Sequence, residues 1–364
     1  MGGQLASQAA ARGLKFVQGD LLADDSYFAS PAFGNCWEAG DLQSWFAVPA
    51  SALSVQENIV NLTVSPAAAG QPARLAFIPA AAAPAVDEQV LTSPAGTPND
   101  INLYRAPGTS VLHAFGNVAA DAAAQTFRLA MTDPAQVAGV ELRQALKRHG
   151  IRVTDKLRAV HWPQGETAQL AHPGLLGEVQ SPPLAEIVQR GLKRSQNLYM
   201  QNLLLAVGAM QPARTPGFRS SESRALEAMH PWLQEIGIPP SASLIEEGAG
   251  LSRRDLVSPN AMVRLSGYLA AQPYATMLRE ALPLAGVDGT LVRRMRGTTA
   301  EHNVQANTGS MSLVHGLAGY VTTAAGERLA FAILLNNYVR PPDAATSNDV
   351  DAIAVLLANY RGHD

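Results

Sequence analysis

Two short segments bring together residue types that can handle an acyl group: Ser195-Gln196-Asn197 and Asn307-Thr308-Gly309. A serine hydroxyl is a weak nucleophile until a neighbouring base takes its proton. A lysine one helical turn away serves when its surroundings depress its pKa. That pairing is missing here. The four lysines, Lys15, Lys147, Lys156 and Lys193, are preceded three residues earlier by Arg12, Gln144, Val153 and Arg190, so no Ser-x-x-Lys exists. Lys193 stands two residues before Ser195, a spacing that puts the two side chains on different helix faces and makes it a poor substitute base. Each tripeptide also has a plain structural reading. Ser195 precedes a helical run and can cap it, and Thr308-Gly309 can simply end a strand.

Other chemistries find less support. The eight histidines show no metal spacing: His-Glu-x-x-His is absent, and His113, His149 and His161 are scattered. No metal and no cofactor is expected. A Gly-x-Ser-x-Gly elbow and a phosphate loop are both absent, which argues against an ordinary esterase and a nucleotide-dependent enzyme. Cys36 is the only cysteine, so it reads as a small buried residue.

The elements that must position the two tripeptides follow from pattern. Residues 4–13 read as the end of a helix, followed by a strand-like KFVQGDLL. Residues 47–62 and 73–79 alternate apolar and polar, as short strands do. The Ala-, Pro-, Gly- and Thr-rich stretch 80–110 reads as chain winding between strands, and 111–131 again as strands. Asp133-Pro134 is a strong helix start, with Gly150 as the stop. Residues 58–154 thus look like a β-rich module closed by one helix. Beyond the Pro-rich 173–183, two helical patterns fill 183–209 and hinge at Ser195-Gln196. Further helices are expected over Ser221 to Ile236, Pro259 to Ala271 and about 348–360. NVQANTG, SLVHGLAGYVTT and RLAFAILLNN read as three strands, two of them joined by Ala325-Gly326-Glu327. Antiparallel strands flanked by helices define an α+β class.

Composition bounds the rest. A chain of 364 residues, 47% hydrophobic, can bury two or three cores. A net charge of −3 with 16% charged residues lacks the basic footprint of a nucleic-acid binder. Arg293-Arg294 with Arg296, and Lys193-Arg194, read as solvated faces. No run of eighteen apolar residues suggests a membrane span, and the N-terminus carries no secretory signal pattern.

The two tripeptides and their flanks together resemble the D-alanyl-D-alanine carboxypeptidase/endopeptidase family, the low-molecular-mass class C penicillin-binding proteins. SPPLAEIVQRGLKR precedes Ser195, SMSLVHGLAGYV follows Gly309, and EEGAGLSRRDLVSP (246–259) and LPLAGVDGTL (282–291) fall between in the family's order. RGLKFVQGDLLADDSYF and VPASALSVQENIVNLTVSPAAAGQP look like its inserted domains. The resemblance covers nearly the whole chain. It implies a penicillin-binding transpeptidase-like (serine β-lactamase-like) domain at 183–364, incomplete at its N-terminus. It also implies two inserted β-rich domains, one over 1–57 with 155–182 and one over 58–154.

By the same resemblance, Ser195 relays protons, Asn197 holds the substrate amide, and Asn307, Thr308 and Gly309 form the strand that receives the terminal carboxylate. The implied partners are peptidoglycan stem peptides and β-lactams, with no nucleic acid, and the implied location is periplasmic or extracytoplasmic. The family's Ser-x-x-Lys lies upstream of where this chain begins, so an N-terminal part is expected to be missing and the chain inactive as written. Asn307 stands where the family has lysine. Losing that charge-assisted contact is worth about 1.5–3 kcal/mol, roughly ten- to a hundredfold. The competing reading is a non-catalytic peptidoglycan-binding or scaffold protein of the same fold. The 183–364 region is expected to be marginal alone, or rescued by pairing in a homo-oligomer.

Overall fold

The computed structural model describes residues 1–165, 174–212, 217–338 and 347–362. Of the 155–182 segment assigned to an inserted domain, residues 166–173 lie outside the described residues. The chain divides into two compact units, Met1–Phe33 with Trp37–Ser181, and Gly34–Cys36 with Pro182–Asp364.

In the first unit, helix α1 (Gly2–Ala11) leads into β1 (Phe16–Val17) and β2 (Leu21–Asp24). Then come β3 (Ile59–Ser65), β4 (Arg74–Ile78), β5 (Ala85–Ser93), β6 (Asp100–Tyr104), β7 (Val111–Ala119) and β8 (Gln125–Ala130). Helix α2 (Pro134–Arg148), β9 (Arg152–Val153) and β10 (Leu157–Val160) complete it. The Asp133 side chain accepts from Gln136 N at 2.8 Å, with Pro134 at the first helical position, as the sequence led one to expect.

Two three-stranded sheets, ordered β4-β3-β8 and β5-β7-β6, share a core of Val60, Leu62, Val64, Val90, Leu112, Val118 and Met131. Helix α2 closes this core with Val137 and Ala138 and meets α1 through Ala145 and Leu146. It also packs on β2 and β10, which pair in parallel.

Three local expectations are corrected. Residues 80–110 are not merely winding chain, because β5 and β6 lie within them; a nine-residue ladder with β7 outweighs their weak local propensity. Residues 47–58 form no strand. The buried Asn58 amide donates to Pro49 O at 2.8 Å and accepts from Val55 N at 3.0 Å, so side-chain hydrogen bonds replace a ladder there. Cys36 is exposed rather than buried, on an irregular segment with φ +60°.

In the second unit, α3 (Leu184–Arg194), α4 (Asn197–Met210) and α5 (Ser221–Glu235) precede a two-stranded β11 (Ser243–Leu244) and β12 (Leu256–Val257). Helices α6 (Pro259–Ala270) and α7 (Ala275–Ala281) follow. The strands β13 (Gln305–Met311), β14 (Val314–Thr322) and β15 (Arg328–Asn336) form an antiparallel meander, and α8 (Asn348–Asn359) ends the chain.

Ser220 and Ser258 cap α5 and α6 by accepting from Ser223 N and Ala261 N. Val350, Ala354 and Ala358 of α8 pack on Leu317, Val321, Phe331 and Ile333, and Arg294 clamps Asp351 with two nitrogens. Tyr320 anchors α6 to the meander by donating to Ser266 O at 2.7 Å. Where α4 meets α5, a Cβ on Gly208 would stand 1.7 Å from Ser221 O, so only glycine allows that approach.

Candidate functional site

Ser195 stands between two helices. It ends α3 in the left-handed region (φ 51°, ψ 52°), and Gln196 N donates back to Gly191 O at 2.8 Å. That is the closure by which helices ordinarily stop at glycine. The plain structural reading, in which Ser195 caps the following helix, does not hold: Gln196, not Ser195, is the residue before α4, and it is 4% exposed. A non-glycine residue held left-handed costs about 1–2 kcal/mol, and such positions cluster at functional sites. Asn197 is the first residue of α4, and both Ser195 and Asn197 are half-buried.

Asn307, Thr308 and Gly309 lie at the middle of β13, opposite Ala318, Leu317 and Gly316 of β14. Asn307 and Gly309 are exposed and Thr308 is half-buried. β13 is an edge strand, paired with β14 on one side only. On its other side Ala306 N donates to Pro283 O at 3.0 Å, and alternation along the strand turns the backbone groups of Thr308 and Ser310 the same way. Among the described residues no backbone partner occupies the edge at Thr308 or Ser310.

The segment 282–291 draws the two tripeptides together. Lys193, in the last turn of α3, donates from Nζ to Asp288 Oδ2 at 2.6 Å and to Leu282 O at 2.7 Å. Asp288 Oδ1 accepts from Leu284 N at 2.8 Å. Gly289 (φ +57°) lies against the end of α3 so closely that a Cβ there would be 2.5 Å from Lys193 O. The next residue, Thr290, accepts a 2.8 Å hydrogen bond from Thr308 Oγ1. Helix end, glycine, threonine and strand thus form one continuous contact. Lys193 Nζ donates to a carboxylate and a carbonyl at once, both on the 282–291 segment.

The 246–255 loop completes the surroundings. Glu247 is 2% exposed, and its carboxylate accepts from Leu251 N at 2.8 Å and Ser252 N at 3.2 Å. Gln201 of α4, also buried, accepts from Gly248 N and donates to Glu222 of α5. Burial pushes the Asp255 carboxyl up to about 7; the Glu246 N–H opposes this, while the charges of Glu247 and Glu246 add to it. Burial likewise raises Glu222. Arg253 reaches the turn after β13, donating to Ser312 O at 2.9 Å, while Arg254 pairs with Glu246 at 3.1 Å. Ser310 Oγ and His315 Nδ1 lie 2.6 Å apart across the two strands.

Sequence reasoning named the flanks that hold Asp288, Gly289 and Thr290 but gave those residues no role. The signal was available in Gly289, the glycine of an Asp-Gly-Thr turn. Arg253 read as a surface charge on a loop that could approach the site, and His315 offered no signal, because its approach to β13 depends on tertiary contact alone.

An edge strand carrying Asn-Thr-Gly beside a helix hinge carrying Ser-x-Asn, within an antiparallel sheet flanked by helices, has the penicillin-binding transpeptidase-like fold. A crystal structure of penicillin-binding protein 4 (dacB) from Haemophilus influenzae aligns with a TM-score of 0.80 at 26% identity, covering 99% of this chain and 80% of that one. The D-Ala-D-Ala carboxypeptidase 3 (S13) family matches over residues 3–360, and the chain belongs to that family. It is 33% identical to a D-alanyl-D-alanine carboxypeptidase of Actinomadura sp. (strain R39) over 370 residues, 99% of this chain and 66% of the relative. It is 30% identical to the D-alanyl-D-alanine carboxypeptidase DacB of Haemophilus influenzae over 90% of this chain and 67% of the relative. The chain thus spans about two thirds of the length of these relatives. Among the described residues no helix is long and apolar enough to cross a membrane.

Proposed function

We propose that this chain recognises D-alanyl-D-alanine ends of peptidoglycan stem peptides outside the cytoplasmic membrane, as part of a serine-type carboxypeptidase/endopeptidase site. The peptide backbone pairs with the open edge of β13, Thr308 and Gly309 border its terminal carboxylate, and Asn197 holds its amide. Ser195 stands beside the same groove as a proton relay. The continuous contact from Lys193 through Gly289 and Thr290 to Thr308 supports this reading, because it ties the end of α3 to β13.

The 364-residue chain is proposed to bind without forming an acyl-enzyme. Acyl transfer needs a hydroxyl to attack the penultimate D-Ala carbonyl and expel the terminal D-alanine, and a base to take the hydroxyl proton. No Ser-x-x-Lys supplies that pair, and Lys193 directs two of its three N–H donors to Asp288 and Leu282 O. Asn307 favours the non-catalytic wall-binding reading further, since an amide gives the carboxylate a hydrogen bond but no charge. The three-part division into 1–57 with 155–182, 58–154 and 183–364 accompanies this proposal.

Labelling with a fluorescent penicillin, with a boiled sample as control, tests the chemistry. We expect no covalent band; one that boiling beforehand abolishes overturns the proposed inactivity. Titration with a D-Ala-D-Ala peptide against its D-Ala-L-Ala counterpart tests recognition. Stereoselective binding supports the site, and equal or absent binding of the two removes it.

A further inference from the structure

The face of α2 away from its core opens onto a groove of about 880 Å³ in the first unit. We infer that this groove binds a phosphodiester chain of sugar or polyol phosphates. Four cations line it: Arg143 and Lys147 from α2, and Arg152 and Lys156 from the segment that turns back along the helix. No Asp or Glu is among its lining residues.

The stretch from Arg143 to Arg158 holds six basic residues, Arg143, Lys147, Arg148, Arg152, Lys156 and Arg158, against one acid, Asp155. This lies within a chain of net charge −3. Nearby carboxylates do not neutralise the four. Asp20 pairs with Arg158 at 2.7 Å and takes only the backbone N–H of Lys156. Arg143 bonds the carbonyl of Asp155, not its carboxylate. Among the described residues none of the four cations has an acidic partner within 4.0 Å.

Such convergence costs free energy in the empty protein, because Arg143 and Lys147 are like charges one turn apart on a helix. An anion repays that cost. The C-terminal end of α2 adds a partial negative charge of about one half, which four full charges outweigh. Size and floor narrow the ligand. The volume far exceeds one phosphate and suits several linked groups. The aliphatic floor of Val140, Ile151 and Leu157 suits the carbon skeleton between them. No aromatic side chain lines the groove, so it offers no platform for stacking nucleic-acid bases.

The test is fluorescence anisotropy of the whole chain with labelled poly(glycerol phosphate). Single-stranded DNA, phosphatidylglycerol vesicles and inorganic phosphate run beside it. We expect a dissociation constant on the order of 10–100 micromolar at 50 mM salt, weakening roughly ten- to fiftyfold at 200 mM. The double variant Lys147→Glu/Arg152→Glu, both exposed positions, should lose at least about tenfold in affinity with its thermal transition unchanged. Undiminished binding by that variant overturns the site. Millimolar or weaker binding by the unmodified chain does the same. Binding to vesicles alone replaces the polymer with a lipid headgroup, and tighter binding to DNA than to the polymer overturns the ligand class.

Discussion

Replacing Gly289 by alanine strikes the contact that joins the two halves of the candidate site. Two costs combine. The backbone at Gly289 is left-handed (φ +57°), which charges an alanine about 1–2 kcal/mol. The new Cβ would also lie 2.5 Å from Lys193 O and 3.0 Å from Pro283 Cβ, and relieving such an overlap costs about 1–3 kcal/mol more. The total is about 2–5 kcal/mol.

Gly297 supplies the control. It is left-handed too (φ +71°), yet nothing lies within 4 Å of a Cβ placed there. Gly297→Ala should therefore cost only the backbone part, about 1–2 kcal/mol. Urea unfolding at 25 °C of both variants isolates the clash as their difference, about 1–3 kcal/mol. In the second unit that corresponds to a Tm difference of roughly 2–12 °C. Gly289→Ala should also weaken binding of a D-Ala-D-Ala peptide, whereas Gly297→Ala should not. Equal destabilisation by the two, within about 0.5 kcal/mol, would refute the claim that α3 is clamped against the 282–291 segment.

Two further outcomes follow from the same unit. Asn307→Lys should tighten binding of a D-Ala-D-Ala peptide by roughly ten- to a hundredfold, read by calorimetry, with the gain shrinking as salt is raised. A gain that also appears with a carboxamide-ended peptide would mean that the new charge does not meet the carboxylate. At Asp255 the carboxyl pKa is about 7 in the folded chain against an ordinary value of 3.8. The native state then holds a proton that the unfolded state has released across that window, so stability falls as pH rises from about 4 to about 7. Asp255→Asn keeps the Oδ1 that accepts from Glu246 N and removes the titration. Its stability relative to the unmodified chain should rise between pH 4.5 and 8 in urea unfolding, and parallel pH profiles would contradict the assignment.

Much of the scaffold was legible residue by residue, because its causes are near neighbours. Asp133-Pro134 and Ser258-Pro259 start helices through a side chain bonding an amide three residues on. The break at Ser195-Gln196 showed as a hinge between two helical patterns, and the three strands of the β13–β15 meander showed as strand-like runs separated by turns. The motif residues Ser195, Asn197 and Asn307 through Gly309 were visible as types in order, and so was the lack of Ser-x-x-Lys.

What tertiary structure alone decided depends on partners far along the chain. β5 and β6 exist because β7 lies between them, not because of their own Ala- and Pro-rich surroundings. Lys193 meets Asp288 across 95 residues, and Thr308 meets Thr290 across 18. The four cations of the α2 groove face one another only because the chain reverses at Gly150 and returns along the helix. Local order arises from torsional preference and hydrogen bonds within a turn, which any short window of residues contains. The convergence of side chains is set by which surfaces pack, a choice made by the whole core at once.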